Sequence, residues 1–511
     1  MNKKYNENAP VVRGERIFSV VLTCAVLAVI LLANVLLYVL NVNFGIFYVV
    51  PEEEDLTLIS GSMDELFAEA ERHGATVEIS FCMSEDEVKL HQTGSFVYKT
   101  AVEYQKRYPN FIKLNFINLI TKQDKDGKNV ADRLQSYLDD EYELRTNSVI
   151  FSCGDNYRIV TDTQSSAGFV GFYTLDSSGN AIAYDGEEVV ASCISQVISD
   201  ASDRSKAYLT VGHTEQIDPS FAKLIELAGY ESDTIDLSKK AVPEDCDLLI
   251  IFAPRNDFQT ASVGSNIEYA QTECGRLEAY LKRGGNLYVA LDPYVKSLPS
   301  LEGILKSCGI SVSESDLDGS VVRDVVRDPR NSLPSNPFAI ITEYAGGAMA
   351  QSISDKVGRY TDGKVIIRYA AALNLSGSAE AILKSSSSSV CEDSGVTTRT
   401  GGDFTIAAYN RLTLEGGTAE ATVFVNSSIY LTVSSALVTN GYANKDFVYA
   451  VFENMFGAKN PPYGTNAVLY DTQTLENLTT GTATLYTVIA IVIPVCLAAV
   501  GTVIVIKRKN R

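Results

Sequence analysis

Residues 247–254 read DLLIIFAP, and this stretch decides the fold. Its apolar run is almost unbroken, which is typical of a central parallel strand buried on both faces. Residues 207–211 (AYLTV) and 286–291 (NLYVAL) have the same character, and helical apolar spacing lies between them. Because strands alternate with helices over about 100 residues, the pattern predicts a doubly wound parallel sheet.

The carboxyl ends of these strands form the candidate ligand edge. In a flavodoxin- or amidotransferase-like sheet, ligands bind outside the carboxyl ends of the strands. Gly212, His213 and Glu215 follow one strand, and Asp292 follows another. A histidine beside carboxylates could act as an acid and a base. In the structural alternative, His213 caps the turn and Glu215 begins a helix.

Sequence motifs argue against an enzyme. The chain has no GxSxG elbow, and no cysteine ends a strand before a helix as in amidotransferases of similar topology. It also has no GxxxxGK[ST] loop for nucleotide phosphates. Gly284 and Gly285 suit a helix C-cap and a left-handed turn, and Pro293 closes the turn after Asp292. We therefore expect no catalytic residue and no cofactor.

Residues 53–185 predict a thioredoxin-like domain. Residues 76–82 (TVEISFC) and 111–119 (FIKLNFINL) are two of the strands in a β-α-β-α-β-β order. A redox thioredoxin requires a CxxC motif at a helix start, and Cys82 stands there alone. Cys82 is either a peroxidatic thiol or, as we prefer, a buried residue at a strand end.

The remaining boundaries follow from shifts in pattern. An amphipathic helix at 186–204 connects the first domain to a second α/β domain at 205–460. Within that domain we predict the following: a loop or flexible insert at the serine run 385–389, strands at 421–425 and 429–433, and a helix at 445–456. A polar, threonine-rich tether occupies 461–483.

Two long apolar segments bracket these domains. Residues 17–41 and 484–506 contain no charged side chain, and a helix of that length spans roughly 30 Å. The tails 1–16 and 507–511 are basic, and basic flanks stay cytoplasmic. The sequence therefore predicts a two-pass plasma-membrane protein with both termini cytoplasmic and residues 42–484 extracytoplasmic. For the first segment the alternative is a cleaved signal peptide.

Charge and cysteine content exclude several classes of function. A formal net charge of −20 argues against a nucleic-acid partner, which requires a basic surface. The nine cysteines include no CxxC pair, so they do not form a disulfide framework, although a single bridge stays open. The three histidines form no HxH or HExxH motif, and we expect no metal site.

Four stretches, taken in series, resemble the GldG family. Residues 208–215 (YLTVGHTE) resemble the family's strand and G-H-x-E turn, and 247–254 resemble its next strand. Residues 281–293 (LKRGGNLYVALDP) stand where the family has a helix, GG, a strand and D-P, and 444–452 resemble its N-[RK]-D-F helix. The family often has a Gly-Asp-Ser turn before that helix, whereas residues 425–428 (VNSS) lack the aspartate.

The resemblance implies an auxiliary component of an ABC transport system, with a domain that recurs in an intraflagellar-transport protein. It implies a separate ABC ATPase and permease as partners, beside the lipid bilayer. The function expected is that of a non-catalytic, membrane-anchored subunit that presents a large acidic domain to substrate or envelope. The alternative is an independent extracytoplasmic sensor or hydrolase-like enzyme that uses the edge near His213 and Glu215.

Overall fold

The computed structural model describes the chain between residues 58 and 469, in the following ranges: 58–139, 143–161, 169–176, 178–199, 204–215, 217–261, 267–295, 297–333, 336–438, 441–465 and 467–469. Within these ranges the helices are Asp64–Arg72 (α1), Glu85–Leu90 (α2), Gly94–Arg107 (α3), Ala131–Asp139 (α4), Gly186–Ile198 (α5), Pro219–Leu227 (α6), Glu273–Lys282 (α7), Pro299–Ser307 (α8), Ala348–Val357 (α9), Ser434–Leu437 (α10) and Asn444–Phe456 (α11).

The strands are Val77–Phe81 (β1), Ile112–Phe116 (β2), Val149–Cys153 (β3), Asn156–Val160 (β4), Tyr173–Leu175 (β5), Ala181–Tyr184 (β6), Lys206–Thr210 (β7), Glu231–Ile235 (β8), Leu248–Phe252 (β9), Asn286–Ala290 (β10), Ile310–Val312 (β11), Glu314–Leu317 (β12), Ser320–Arg323 (β13), Val325–Arg327 (β14), Ser332–Leu333 (β15), Asn336–Ile341 (β16), Glu343–Tyr344 (β17), Ile366–Arg368 (β18), Leu373–Leu375 (β19), Glu380–Lys384 (β20), Val390–Asp393 (β21), Val396–Thr400 (β22), Thr405–Leu412 (β23), Ala421–Asn426 (β24) and Val468–Leu469 (β25).

The described residues correct the prediction of a two-pass membrane protein. None of their helices is both long and apolar enough to cross a bilayer. The longest, α3, has 14 residues, and at ~1.5 Å per residue it falls short of the ~30 Å of hydrocarbon. The predicted spans, 17–41 and 484–506, lie outside the described residues. The described chain is a mixed α/β protein, which corrects the predicted plasma-membrane localisation.

The first sheet has four strands in the order β2-β1-β3-β4. β1 and β2 are parallel, whereas β3 and β4 run antiparallel to their neighbours. Helices α2 and α3 connect the parallel pair, which gives the β-α-β-α-β-β order expected from the sequence. Since β2 and β4 stand at the two ends of this order, each has one side that pairs with no strand of the sheet.

The second sheet has ten strands, with β24-β10-β9-β7-β8 parallel at its centre and end. β9 is buried at every position, as its apolar run predicts. Leu248, Ile250 and Phe252 pack into the core on one face, and Leu249 and Ile251 pack into the core on the other. Each buried aliphatic side chain contributes about 1.5–3 kcal/mol, so this one strand joins two cores.

Helices cover both faces of this sheet. α6, α9 and α11 pack on the face of Ile250, whereas α7 and α8 pack on the face of Ile251. The antiparallel strand β23 pairs with β24 and extends the sheet toward β19 and β11. A doubly wound arrangement around parallel central strands is therefore observed, with an antiparallel extension that the sequence did not indicate.

Helix α5 lies between the two sheets. One of its faces packs into the core of the first sheet, and the other hydrogen-bonds to residues of the second domain. Its apolar residues, among them Val190 and Ile194, belong to the core of the first sheet. Its polar residues point the other way: Ser192 Oγ donates to the carbonyl of Leu227 on α6 at 2.8 Å, and Ser195 Oγ donates to Asn460 O at 3.3 Å. All described residues belong to one compact unit.

The serine run 385–389 forms a loop, one of the two predicted alternatives, and because most of the run is buried with fixed contacts it is not a flexible insert. Ser386, Ser388 and Ser389 donate their hydroxyls to the buried carboxylate of Asp328 at 2.5 to 3.0 Å. Although burial acts to raise it, these hydrogen bonds and backbone amides lower the pKa of Asp328 to about 2. The serines hold a carboxylate inside the domain.

Two further local predictions are wrong. Residues 429–433 are not a strand: a 3₁₀ turn at Ile429–Leu431 leads into α10, because Ser428 Oγ accepts from Tyr430 N and caps the turn. Glu215 does not begin a helix, since α6 begins at Pro219 behind the capping carboxylate of Asp218. In both cases a short polar side chain redirected the backbone.

Candidate functional site

His213 lies at the carboxyl end of β7, where the backbone makes a tight turn. Gly212 has φ +116° and Thr214 has φ +62°, so residues in the left-handed region flank the histidine on both sides. A left-handed residue other than glycine costs roughly 1–2 kcal/mol, and contacts nearby must offset that cost. The turn returns the chain so that His213 points back into the protein, where it is 3% exposed.

Both ring nitrogens of His213 contact carboxylates. Nδ1 lies 3.1 Å from Glu215 Oε1, and Nε2 lies 3.0 Å from Glu273 Oε2 on α7. The backbone N–H of His213 also donates to Glu215 Oε2 at 2.7 Å, and Gln259 N donates to Glu273 Oε2 at 2.6 Å. An imidazole that donates from both nitrogens is an imidazolium, so the arrangement is a cation held between two buried carboxylates.

The carboxylates shift the ionisation of this group. Burial acts to lower the pKa of His213, but the hydrogen bonds to Glu215 and Glu273 outweigh it and raise that pKa above its usual value. Burial acts to raise the pKa of Glu215, but the hydrogen bond from His213 and backbone amides lower it. At neutral pH the geometry therefore favours a charged histidine with no free lone pair for a base.

The remaining surfaces of His213 are also engaged. Its ring stacks on Phe258 with centroids 3.9 Å apart and planes within 5°. Its carbonyl accepts from the backbone amides of Arg255 and Asn256 at 2.9 and 3.1 Å, which ties the end of β7 to the end of β9. We define these residues, His213, Glu215, Phe258 and Glu273, as the histidine clamp.

The residue after β9 occupies a strained position without a reactive side chain. Ala253 has φ +49° and is 3% exposed, directly after the buried central strand. A strained residue at the carboxyl end of a central strand is where α/β hydrolases place their nucleophile. Here the side chain is a methyl group, so this position supplies no nucleophile.

Asp292 does not join the histidine clamp. Its Oδ1 accepts from Tyr294 N at 3.0 Å, which forms a turn around the buried Pro293. The structure thus brings His213 and Glu215 together, as the sequence predicted for an edge site, but gives Asp292 a different partner.

Aromatic rings surround Asp292. Tyr294, which is 61% exposed, lies 5.6 Å from Tyr369, and Tyr430 lies 5.4 Å from the same ring. Burial, reinforced by neighbouring tyrosines and the Asp292 carboxylate, raises the pKa of Tyr294 to about 12. Tyr369 itself has φ +50°, so the backbone is strained here as well. We call Tyr294, Tyr369 and Tyr430 the tyrosine rim.

Gly284 and Gly285 lie at the opposite end of β10 and form a structural turn. Gly284 has φ +92°, and a Cβ there would lie 2.7 Å from the Cβ of Ala419. The amides of Gly284 and Gly285 donate to the last carbonyls of α7, at 3.0 and 3.1 Å. The pair closes the helix, as the C-cap prediction stated.

Cys82 has the properties of a structural residue. It is 2% exposed at the end of β1, and burial raises the pKa of its thiol to about 12. A cleft of about 770 Å³ opens beside it, lined by residues that include Met83, Ile117 and the 93% exposed Ile120. All seven cysteines in the described ranges are free thiols, and within those ranges no group of three or more His, Cys, Asp or Glu is placed to hold a metal.

A second buried ion pair was not predicted. Lys445 Nζ lies 3.1 Å from Glu188 Oε2 on α5, and Tyr449 Oη donates to Glu188 Oε1 at 2.6 Å. Asn444 bonds the carbonyls of Ile366 and Leu431, and burial raises the pKa of Asp446 to about 6. The N-[RK]-D-F-like residues therefore attach α11 to its surroundings, including α5, and form no open site.

Sequence reasoning missed Glu273 and Phe258 of the clamp. Glu273 lies 60 residues beyond His213. The available signal was Thr272, which caps α7 and places an acidic residue at the first helical position. That signal predicts a helix start, but not which histidine the carboxylate will face.

Comparisons with known proteins give fold-level likenesses alone. No family model and no curated protein matches the chain. Among solved structures it is similar to "mmIFT52 N-terminal domain" (16% identity, 49% of this chain and 96% of that one, TM-score 0.35). It is also similar to a "Putative thua-like protein" from Bacteroides uniformis ATCC 8492 (13%, 52% and 98%, 0.29) and to a glutamine amido transferase from Methylobacillus Flagellatus (12%, 55% and 89%, 0.23). Similarity at this level carries nothing about function.

Proposed function

We propose that this chain is a non-catalytic auxiliary subunit of an ABC transport system. The observation that carries the non-catalytic part is the histidine clamp. Its histidine, the one titratable side chain of the predicted edge suited to act as a base near neutral pH, is 3% exposed and contacts carboxylates at both nitrogens.

The neighbouring strand end supports the same conclusion. A nucleophile would have to stand beside a base and be activated by it. Ala253 occupies the strained turn after β9, and the nearest strand ends of this edge supply Asp292 and Asn426. Among the described residues carboxylates occupy both ring nitrogens of His213, so no alcohol or thiol is hydrogen-bonded to it as the attacking group of acyl transfer.

The transport assignment rests on the sequence. Residues 208–215, 247–254, 281–293 and 444–452 resemble GldG-family stretches in the family's order. All four carry structural elements here: the clamp turn, the double-faced strand β9, the Gly284-Gly285 turn before β10, and the α11 contacts to α5. A fold maintained by buried polar contacts suits a subunit that acts by binding other subunits.

Purification from the native cell tests the proposal. A tagged chain expressed at its natural level is isolated under gentle conditions, and its partners are identified by mass spectrometry. We expect an ABC ATPase and a permease to be recovered in fixed ratio to the chain. Recovery of the chain without either, under conditions that preserve a known ABC complex of the same cell, would contradict the proposal.

A second candidate is recognition of a small ligand at the tyrosine rim. The exposed ring of Tyr294, beside the Asp292 carboxylate at the carboxyl end of β10, favours it, because ligands of such sheets bind at this edge. A thermal-shift screen of small compounds, run in parallel on the wild type and on Tyr294→Ala, tests this candidate. A compound that stabilises the wild type and not the variant supports recognition, whereas equal shifts in both exclude it.

A further inference from the structure

The edge strands of the two sheets face a single cleft. β4 is the last strand of the four-stranded sheet, and β8 is the last strand of the ten-stranded sheet. All five residues of β4 and the first two of β8, Glu231 and Ser232, line a cleft of about 1050 Å³. We call it the edge cleft. Small-molecule pockets fill about 300–1,000 Å³, so the edge cleft lies at the upper end of that range.

An edge strand offers backbone groups to an added strand. A strand inside a sheet pairs its amides and carbonyls with a neighbouring strand on each side. β4 pairs with β3 on one side and with no strand of the sheet on the other. Natural proteins blunt such edges with proline, bulges or several charges. β4 reads NYRIV, with no proline, and it pairs with β3 without a register shift. Its five side chains are all half-buried.

Arg158, in the middle of β4, has a guanidinium nitrogen that the fold leaves open, and its charge acts on Glu226, a carboxylate that also lines the edge cleft. Its Nε is buried and has no hydrogen-bond partner among the described residues. The other cations of the edge cleft are engaged: Lys223 with Asp185 at 2.9 Å and Arg204 with Glu231 at 3.4 Å. A buried guanidinium nitrogen without a hydrogen bond is costly, and the carboxylate of an incoming ligand can accept from it.

Arg204 also marks the width of the edge cleft. Its guanidinium reaches Glu231 Oε1 on β8 and the carbonyl oxygen of Tyr157 on β4, each at 3.4 Å. One side chain therefore spans from one sheet edge to the other. Its Nε, like that of Arg158, is buried without a partner in the described chain. The two long bonds are weak by hydrogen-bond geometry, so an incoming backbone could replace them.

We propose that the edge cleft binds an extended peptide that adds to β4 as a strand and places an acidic side chain on Arg158. Backbone pairing supplies the affinity and the Arg158–carboxylate contact selects the residue, the division of roles usual for strand addition. The proposal concerns a different surface from the clamp and the tyrosine rim, and it does not depend on the ABC partners.

Fluorescence anisotropy with the 511-residue chain tests the side-chain contact. The probe is a fluorescein-labelled peptide, Thr-Val-Glu-Val-Thr-Val with a C-terminal amide, and the matched probe has Gln in place of Glu. We expect the Glu peptide to bind, and both the Gln peptide and the Arg158→Gln variant to weaken binding about tenfold. The Gln peptide should bind Arg158→Gln only slightly more weakly than either change alone predicts, since both changes remove the same contact.

Two controls separate strand addition from simple ion binding. Arg145→Gln removes an arginine of the same domain that pairs with Glu143 away from the edge cleft, and should leave the affinity unchanged. Two N-methylated peptides are made, one with the odd-numbered amides methylated and one with the even-numbered amides methylated. Since only one of these sets can face β4, methylation of that set should abolish binding. Amide hydrogen exchange should show new protection in β4 when the peptide is bound.

The following results would overturn the proposal. They are no binding of the Glu peptide at millimolar concentration, an equal loss in Arg145→Gln, no effect of N-methylation on either set of amides, or full displacement by sodium acetate at the peptide's own concentration. The last result would identify a site for free anions. Circular dichroism and hydrogen exchange on Arg158→Gln without peptide confirm that the variant is folded.

Discussion

His213 and Arg158 are two partly or fully buried cationic side chains with opposite surroundings. His213 has a carboxylate at each ring nitrogen, a stacked aromatic ring and backbone contacts. Arg158 has a buried Nε without a partner in the described chain and stands on an edge strand beside a large cleft. The difference teaches that, in this molecule, a cation whose hydrogen-bonding nitrogens are all engaged stabilises structure, whereas one that keeps an open nitrogen beside a cleft can bind a ligand.

The physical basis is the cost of desolvation. Removing one member of a buried ion pair leaves the other charge uncompensated, so paired groups are expensive to alter. An atom that makes no hydrogen bond within the fold, such as Arg158 Nε, loses none when the side chain is replaced. Stability measurements and binding measurements should therefore respond to different residues.

The largest effect is expected for the histidine clamp. His213→Gln removes the positive charge between Glu215 and Glu273 and brings two buried carboxylates together. We expect a loss of about 3–5 kcal/mol in the free energy of unfolding, measured by chemical denaturation. His73→Gln, at an exposed histidine, is the matched control and should change stability by less than about 0.5 kcal/mol. Equal, small changes in both variants would show that the clamp does not stabilise the fold.

The next effect concerns the contact between α5 and α11. Lys445→Gln leaves Glu188 buried without its cation, and we expect a loss of about 3 kcal/mol. Limited proteolysis should also cut sooner near residue 465, because Lys445 Nζ donates to the carbonyl of Thr465 at 2.9 Å. Lys113→Gln, at an exposed lysine, is the control. An unchanged proteolysis pattern would mean that Lys445 is not needed to hold this part of the chain.

The pH dependence of stability sharpens the comparison. The pKa of His213 is raised in the folded chain, so its contribution is complete below the unfolded value of ~6.5 and is lost as pH rises through the folded pKa. The pKa of Glu215 is lowered, so its contribution is complete above its unfolded value and is lost as pH falls through the folded pKa. The two groups therefore weaken the fold at opposite ends of the pH range.

We therefore expect stability to decline above neutral pH in the wild type and to decline less in His213→Gln. Asp446, whose pKa of about 6 is raised by burial, adds a slope of the same sign to both proteins. The difference between the two denaturation curves across about pH 6 to 9 isolates the histidine. Parallel curves would contradict an imidazolium in the clamp.

The smallest stability effect is expected at Arg158. Arg158→Gln removes no hydrogen bond of its Nε within the described chain, so the free energy of unfolding should change by less than about 0.5 kcal/mol, or rise slightly. The same variant is the one expected to weaken peptide binding about tenfold. A large loss of stability in Arg158→Gln would remove the distinction between the two charges.

The sequence predicted the central architecture because local pattern determines it. Continuous apolar runs such as 247–254 indicate double-faced burial, and Gly284 indicates a left-handed cap, since both depend on residues adjacent in the chain. His213 and Glu215 could be placed together for the same reason, because only one residue separates them.

Contacts between residues that are far apart in the chain could not be predicted from local sequence pattern. Glu273 reaches His213 after 60 residues, and Glu188 reaches Tyr449 after 261. The serine run is a further case: its composition predicted a loop or a flexible insert, but it could not show that the buried carboxylate of Asp328 fixes those hydroxyls. Polarity predicts solvent contact only where no distant polar group is buried to meet it.

The protonation state of His213 tests the central claim most directly. NMR titration of a chain labelled with ¹⁵N at histidine, with His73→Gln and His91→Gln used to assign the signals, reports the state of each ring nitrogen. We expect both nitrogens of His213 to carry protons at about pH 7 and the apparent pKa to exceed ~6.5. A neutral ring at that pH, with a pKa at or below that value, would contradict the account, because the edge would then hold a free base.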